Sequence, residues 1–418
     1  CVSCSRPAAF SYYLPRAVEM TLFSAVELAP RDPILGLNEA YNADHRTEKV
    51  NLGVGVYFNA EGKLPLLKAV KAAEEQRVAA GLPRGYLPIE GIAAYDKAVQ
   101  EMLFGKESPV LAEGRVITAQ ALGGTGALKI GADFLKQLNP NATVAISDPS
   151  WENHRALFTQ AGFNVVSYPY YDAESHGVNL PGMLDMLGKE PEGTIVVLHA
   201  CCHNPTGVDL TMDQWAQVVE VVKARKLVPF LDIAYQGFGD GIDADAAVVR
   251  LFAAAGLNFF VSSSFSKSFS LYGERVGALS IVTSSKDEST RVLSQLKRVI
   301  RTNYSNPPTH GGSVVAAVLG NAELRALWEE ELAEMRERIR AMRLALVEKL
   351  RAHGVERDFS FVIKQRGMFS YSGLTADQVE RLREEFGIYA VSTGRICVAA
   401  LNDKNIDVVA AAIAKVLR

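Results

Sequence analysis

Cysteine, tryptophan and long apolar runs are all scarce in this chain. Five cysteines occur in 418 residues, at positions 1, 4, 201, 202 and 397. A sparse, odd set without framework spacing excludes a disulfide scaffold and points to free thiols in a reducing, cytoplasmic setting. The longest apolar stretches, at 194–200 and 227–231, are strand-length, far below the ~18 residues of a membrane span. An excess of one charge is also missing. Lys and Arg number 44 against 47 Asp and Glu, a net of −3, so no broad basic field exists for nucleic acid or anionic lipid. Glycine (33) and proline (17) follow no G-X-Y period, which excludes a collagen-like chain. What is present is a globular composition, 48% hydrophobic and 22% charged, in a chain long enough for two domains.

The opening CVSCSRPAAFSYYLPRAVEM lacks a basic stretch followed by an apolar core, so it makes a poor signal peptide. Cys1 and Cys4 form a CxxC without the βαβ surroundings that give such a pair a redox or metal role. Residues 1–19 are expected to be a disordered or non-native extension ahead of Met20. A weak organellar presequence is the alternative, because Arg6 and Arg16 precede the first Asp.

From about residue 65, helix and strand patterns alternate. Helices are predicted at 68–80, 91–104, 123–138, 154–161 and 212–225. Compact apolar strands are predicted at 115–121, 143–147, 164–168, 194–199, 227–232, 258–263 and 278–282. This alternation implies parallel βαβ units, and the continuous apolar strands imply a sheet covered on both faces. Chemistry then belongs beyond the carboxyl ends of the strands. The last third differs. Leu324, Trp328, Leu332, Met335, Ile339, Met342, Leu346 and Leu350 recur at three and four residues, predicting one long helix. Shorter signals at 359–364, 368–371, 376–386, 388–391 and 395–399, then a closing helix, predict a smaller α+β domain.

The strongest chemical signal is SSSFSKSFSLYGERVGALS at 262–280. Lys267 follows a buried strand, and Phe269, Leu271 and Tyr272 keep its surroundings apolar. Such a lysine is a surface residue that snorkels or an amine of lowered pKa suited to imine formation. Ser264 and Arg275 flank it, and an arginine fork matches phosphate oxygens. Gly123-Gly124-Thr125-Gly126 follows a strand and opens a helix, aiming N–H groups at an anion. It lacks the Gly-Lys-Ser/Thr of a P-loop and the full GxGxxG of a dinucleotide site. Asp232 ends a buried strand, as a helix N-cap or as the counter-charge to a protonated ring nitrogen. Asn204 and Tyr235 are placed to donate to a ring oxygen, and Trp151 to stack on a flat ring. His199, Cys201, Cys202 and His203 read as packing rather than as a zinc site, since adjacent cysteines do not chelate at the usual spacing. Glu152 and Asp148 read as turn and cap residues, Trp215 and Trp328 as core, Lys129 as solvated and Cys397 as a small strand hydrophobe.

A Schiff-base lysine, a ring-nitrogen aspartate, a phosphate cup and a stacking aromatic meet the needs of one cofactor, pyridoxal 5′-phosphate. CCHNPTG, DIAYQGF, SxSFSK…GERVG and NYSNPP then follow one another along the chain. On these motifs the chain resembles the fold-type I, class I aminotransferases, in the aspartate/aromatic amino acid branch, from about Thr21 to the C-terminus. The resemblance implies an α/β fold. It comprises an arm at 20–35, a large domain at 65–335 with a mainly parallel sheet covered by helices on both faces, and a smaller α+β domain at 36–64 and 336–418. It implies Lys267 as Schiff-base lysine and proton shuttle, Asp232 on the ring nitrogen, and Tyr235 and Asn204 on the ring oxygen. Gly124, Thr125, Ser264 and Arg275 would hold the phosphate and Trp151 the ring, with His154 beneath it. Tyr86 would reach the phosphate of a partner subunit in a homodimer with shared sites. Arg395 would grip the substrate α-carboxylate, Arg301 a distal carboxylate across the dimer, and Gly55 would close over the substrate. The kinetics would be ping-pong.

Substrate preference is read from departures within that pattern. Phe58 stands where dicarboxylate-specific members commonly carry lysine, and Leu64 and Leu87 replace smaller polar residues. Removing a cation and adding apolar surface favours a phenyl side chain by ~1–3 kcal/mol. Ser268 and Ser270 also depart from the aspartate-type pattern, whereas Asn303 and Asn306 do not discriminate. With Arg301 retained, the expectation is turnover of Tyr, Phe or Asp with 2-oxoglutarate. The alternatives are strict aspartate specificity, a β-lyase or decarboxylase, or a non-catalytic binding protein of this fold.

Overall fold

The computed structural model describes residues 20–418. The Cys1–Cys4 pair, Arg6, Arg16 and the expected 1–19 extension lie outside the described residues. Seven strands build the main sheet: β1 (Val116–Leu122), β2 (Thr143–Asp148), β3 (Asn164–Pro169), β4 (Ile195–His199), β5 (Val228–Ile233), β6 (Phe259–Ser264) and β7 (Val276–Val282). Their spatial order is β1-β7-β6-β5-β4-β2-β3. The pairs β2–β3, β2–β4, β4–β5 and β5–β6 are parallel, and β7 runs antiparallel to both β6 and β1. The sheet is therefore mainly parallel, as the alternation implies, with one reversed strand that the apolar pattern does not reveal.

Alternate residues along each strand enter two separate cores. Ile195 and Val197 face one cluster with Phe134, Phe158 and Phe230, while Val196 and Leu198 face the other. Burial on both faces explains the continuous apolar strands. Helix α1 (Gly123–Leu138) packs on the sheet so closely that a Cβ at Gly131 would lie 2.6 Å from Phe230 Cζ. Helix α2 (Lys286–Asn303) packs on the same face through Leu296, Val299 and Ile300.

The long helix α3 spans Ala322–Ala352 and buries Trp328, Leu332, Met335, Ile339, Met342, Leu346 and Leu350, the predicted stripe except for Leu324, which is half-buried. Trp328 is fully buried and its Nε1 donates to Ser268 O. Beyond α3, β8 (Phe369–Tyr371) pairs antiparallel with β9 (Arg395–Cys397), and Val50–Asn51 pairs parallel with Ile388–Tyr389. The 359–364 signal resolves into one helical turn, Phe361–Lys364. Thr375 and Gln378 form a reciprocal cap on the helix Ala376–Phe386, and Gly387 ends it at φ 67°, a conformation that costs glycine little.

Candidate active site

A cavity of about 380 Å³ opens beyond the carboxyl ends of the strands. Each strand delivers its contribution in the residues that follow it. After β1 the chain turns into α1, whose first residues are Gly123-Gly124-Thr125. The residue before α1, Leu122, offers no side-chain cap, so the N–H groups of that first turn have no partner from a cap. Ser264 ends β6, Lys267 follows three residues later, and Arg275 precedes β7 in a left-handed conformation. A Cβ at Gly123 would lie 2.6 Å from Arg275 Nη2, and one at Gly124 3.3 Å from Ser264 Cβ. Glycine is thus what lets the helix start, the arginine fork and the serine share one cup. Partial positive charge at the helix start plus a guanidinium is a donor set for a phosphate group.

Asp232 lies in β5 beside His199 of β4, so the N-cap alternative does not hold. Its Oδ2 lies 2.7 Å from His154 Nε2. Ser150 Oγ lies 2.9 Å from His154 Nδ1 and 3.1 Å from His199 Nε2. One proton arrangement satisfies all three contacts. His199 Nε2–H donates to Ser150, Ser150 O–H to His154 Nδ1, and His154 Nε2–H to the Asp232 carboxylate. Burial, with His154 alongside, pushes His199 down to about 3, so it enters this relay neutral. His203 is occupied by Ser147 Oγ at 3.0 Å and Thr206 Oγ1 at 2.7 Å, and it stacks on Tyr170. The histidine nitrogens of CCHNPTG are thus engaged with hydroxyls, and Cys201, Cys202 and Cys397 are buried free thiols.

Lys267 is enclosed except where it meets the cavity. Among the described residues no carboxylate lies within ion-pair distance of its Nζ, which sits 5.3 Å from the centre of the Tyr235 ring. Burial lowers its pKa to about 8, with Arg275 pulling the same way and Asp232 opposing. Burial likewise pushes the Tyr235 phenol up. Arg395, in β9, is 6% exposed. Its Nη1 donates to Asn204 Oδ1 at 3.3 Å and its Nη2 to Gly53 O at 3.1 Å, while its Nε has no partner. The guanidinium lies 4.2 Å from the Phe369 ring centre. A buried cation with only neutral acceptors and a spare N–H is a receptor for a carboxylate.

The cavity brings together Gly55, Gly124, Thr125, Trp151, Asn204, Asp232, Tyr235, Ser264, Lys267, Arg275 and Arg395. Tyr86, Arg301 and Phe58 do not line it, and neither do His154, Leu64 and Leu87. Tyr86 is 94% exposed, Arg301 lies exposed in the last turn of α2 with Nη1 bonded to Ser305 Oγ, and Phe58 packs against the core. The sequence reading did not include Phe369, Ser266, or Ile34 and Leu35 of the helix Pro33–Ala43, which also line the cavity. Ser266, inside SFSK, had a visible signal. Phe369 had none beyond a short strand pattern.

Residues 47–413 match the family model for aminotransferase class I and II. An aspartate aminotransferase of Pseudomonas aeruginosa is 74% identical, covering 95% of this chain and 100% of the relative. The crystal structure of an aromatic-amino-acid aminotransferase from Burkholderia pseudomallei, covalently bound to pyridoxal phosphate, is 78% identical with a TM-score of 0.95. It covers 96% of this chain and 100% of that one. A psychrophilic aromatic amino acids aminotransferase from Psychrobacter sp. B6, cocrystallised with aspartic acid, is 47% identical with a TM-score of 0.94, covering 95% and 100%.

Proposed function

This chain belongs to the class I and II aminotransferases, enzymes that pass an amino group between amino acids and 2-oxo acids, and we propose that it takes Tyr, Phe and Asp with 2-oxoglutarate as acceptor. The cofactor is pyridoxal 5′-phosphate. The residues fit it: a phosphate cup at Gly124, Thr125, Ser264 and Arg275, a relay-held carboxylate at Asp232, and a buried lysine that has no ion-pair partner among the described residues. When bound, the cofactor supplies an aldehyde carbon and a cationic ring that draws electrons from the substrate Cα. Asp232, oriented by His154, would keep a proton on the ring nitrogen. Asn204 and Tyr235 would donate to the ring oxygen, and Trp151 would lie against the ring. Arg395 binds the α-carboxylate and so fixes which Cα bond is broken. Lys267 Nζ would take up the Cα proton and later give it back; an amine near pKa 8 is suited to both directions near neutral pH. Donor and acceptor use one site in turn, which gives ping-pong kinetics.

The observation that carries this reading is Arg395, a buried guanidinium that among the described residues has a spare Nε and no acidic partner, lining the same cavity as Lys267. It anchors any amino acid by the end they share. On the family resemblance, Phe58, Leu64 and Leu87 stand where other members carry polar groups, which supports the aromatic side chain, and the Psychrobacter aromatic amino acids aminotransferase was cocrystallised with aspartic acid. The division into an arm at 20–35, a large domain at 65–335 and a small domain at 36–64 and 336–418 belongs to the same reading.

We also place Tyr86 and Arg301 in the site of a second copy. Exposed Met20, Leu22, Phe23, Val26, Leu28, Leu66 and Tyr86 favour a homodimer that covers them. Among the described residues no helix is long and apolar enough to cross a membrane, and the buried free thiols suit a reducing cytoplasm. The test is a kcat/KM series for Tyr, Phe and Asp with 2-oxoglutarate. Comparable turnover of Phe and Asp supports the proposal. Fast Asp with no Phe or Tyr turnover replaces it with strict aspartate specificity.

A further inference from the structure

The two segments that hold Arg395 in place meet a second arginine on their far side. Arg395 Nη2 binds Gly53 O, at the start of the stretch 53–58 whose Gly55 lines the cavity. That stretch runs alongside the residues after Arg395: Cys397 N donates to Leu52 O at 2.8 Å and Phe58 N to Ala399 O at 3.3 Å. At the other end of this pairing stands Arg338, on α3. Its Nε donates to Tyr57 OH at 2.8 Å, its Nη1 to Leu401 O at 2.7 Å, and its Nη2 to Ala399 O at 2.9 Å and to Phe58 O. The guanidinium also lies 4.9 Å from the Tyr57 ring centre. Among the described residues it has no carboxylate within ion-pair distance.

Its neighbours on α3 are directed elsewhere. Arg336 donates to Gly237 O, and Arg340 to Gly239 O and Asp240. Residues four apart share a helix face and a residue two away does not. Arg338 alone of the three therefore ties 57–58 to 399–401. Three carbonyls and a hydroxyl would lose a charged donor together if it were removed, and bonds from a charged group are the stronger kind.

We propose that Arg338 is a positioning residue for the carboxylate clamp: it locks 53–58 against 395–401 from behind and so fixes Arg395 and Gly55 for substrate. This rests on the reading of Arg395 as the α-carboxylate anchor. Arg338 touches neither the cavity nor the phosphate cup, so its effect belongs to substrate binding and not to cofactor binding.

The test uses the loaded enzyme of Arg338→Met, Arg338→Lys, Tyr57→Phe and Arg395→Lys. KM for Phe and Asp is measured, together with calorimetric binding of the unreactive analogues 3-phenylpropanoate and succinate and the dissociation constant of pyridoxal phosphate. Arg338→Met is expected to raise KM and both analogue dissociation constants about tenfold, with kcat within about threefold and cofactor affinity unchanged. Arg338→Lys falls between wild type and Met. Tyr57→Phe, which removes one acceptor and leaves the guanidinium its carbonyls, gives a smaller rise and covers the case in which Arg338 variants fail to fold. Unchanged analogue binding in Arg338→Lys and Tyr57→Phe overturns the proposal, as does a loss of cofactor affinity in step with KM. If Arg395→Lys also binds the analogues as wild type does, the anchor reading fails instead.

Discussion

Burying Lys267 costs the empty protein stability, and that cost is measurable. Its amine moves from 10.5 to about 8 on folding, chiefly because burial disfavours the ammonium. At ~1.4 kcal/mol per pKa unit, this is on the order of 3 kcal/mol. The folded-state value lies below the unfolded one, so below pH 8 the amine is charged in both states and the folded protein carries the whole penalty. Between pH 8 and 10.5 the folded protein sheds the proton first, and stability rises with pH across that window. Lys267→Met removes the charge while keeping an unbranched side chain. The cofactor-free variant is therefore expected to be more stable than the cofactor-free wild type at pH 7, by on the order of 3 kcal/mol. The gap should close as pH approaches 10.5. Chemical unfolding of both proteins at pH 7 and pH 10 reads this directly, since other titrating groups cancel in the difference. A variant no more stable than wild type at pH 7, or a gain that persists undiminished at pH 10, refutes the reasoning.

Other outcomes follow from single contacts. Arg395→Lys, which replaces a planar fork by a point charge, is expected to raise KM for Phe and Asp by about a hundredfold, read by steady-state kinetics; an unchanged KM removes Arg395 from substrate binding. Phe58→Lys restores a cation and is expected to lower the ratio of kcat/KM for Phe over Asp by about tenfold or more; an unaltered ratio takes position 58 out of the specificity argument. Gly131→Ala drives a methyl against Phe230, where a Cβ would lie 2.6 Å from Cζ. It is expected to cost about 1–3 kcal/mol of stability, seen as a lower melting temperature with KM intact.

The fold was legible where burial dictates pattern. Strands such as Ile195–His199 are apolar on both faces because both faces are covered, and the α3 stripe matches the helical period. Helix α2 escaped because its buried apolar positions, Leu296, Val299 and Ile300, gather in its second half, while its first half is mostly polar. The reversal of β7 escaped because a strand buried on both faces carries the same composition in either direction. In the site, the cup and the Lys267–Asp232 neighbourhood were legible because glycines, a lysine and a strand-end carboxylate are unusual residues for those places. The order of the Ser150–His154–His199 relay was not, since it depends on a loop, the helix that follows it and the end of a separate strand meeting. Nor was Phe369, an ordinary strand aromatic until Arg395 stacks on it.

These differences in legibility track a physical division of labour. The residues proposed to hold the cofactor sit at or just beyond strand ends, locked by the two cores, where a changed side chain disturbs packing and the proton relay together. The residues proposed to meet the substrate side chain lie outside the single-chain cavity, on less constrained ground. Leu64 is 52% exposed, Arg301 is exposed, and Phe58 is only partly buried. Substitutions there leave Lys267, Asp232 and the phosphate cup untouched. The energy separating a phenyl from a carboxylate preference is only ~1–3 kcal/mol, within reach of one or two such changes. Relatives named for aspartate and for aromatic substrates can then both share three quarters of this sequence. Overall identity follows the locked part, and preference follows the free part. For that reason the ratio of Phe to Asp turnover in Phe58 and Leu64 variants carries more information about this enzyme's substrate than its similarity to either group.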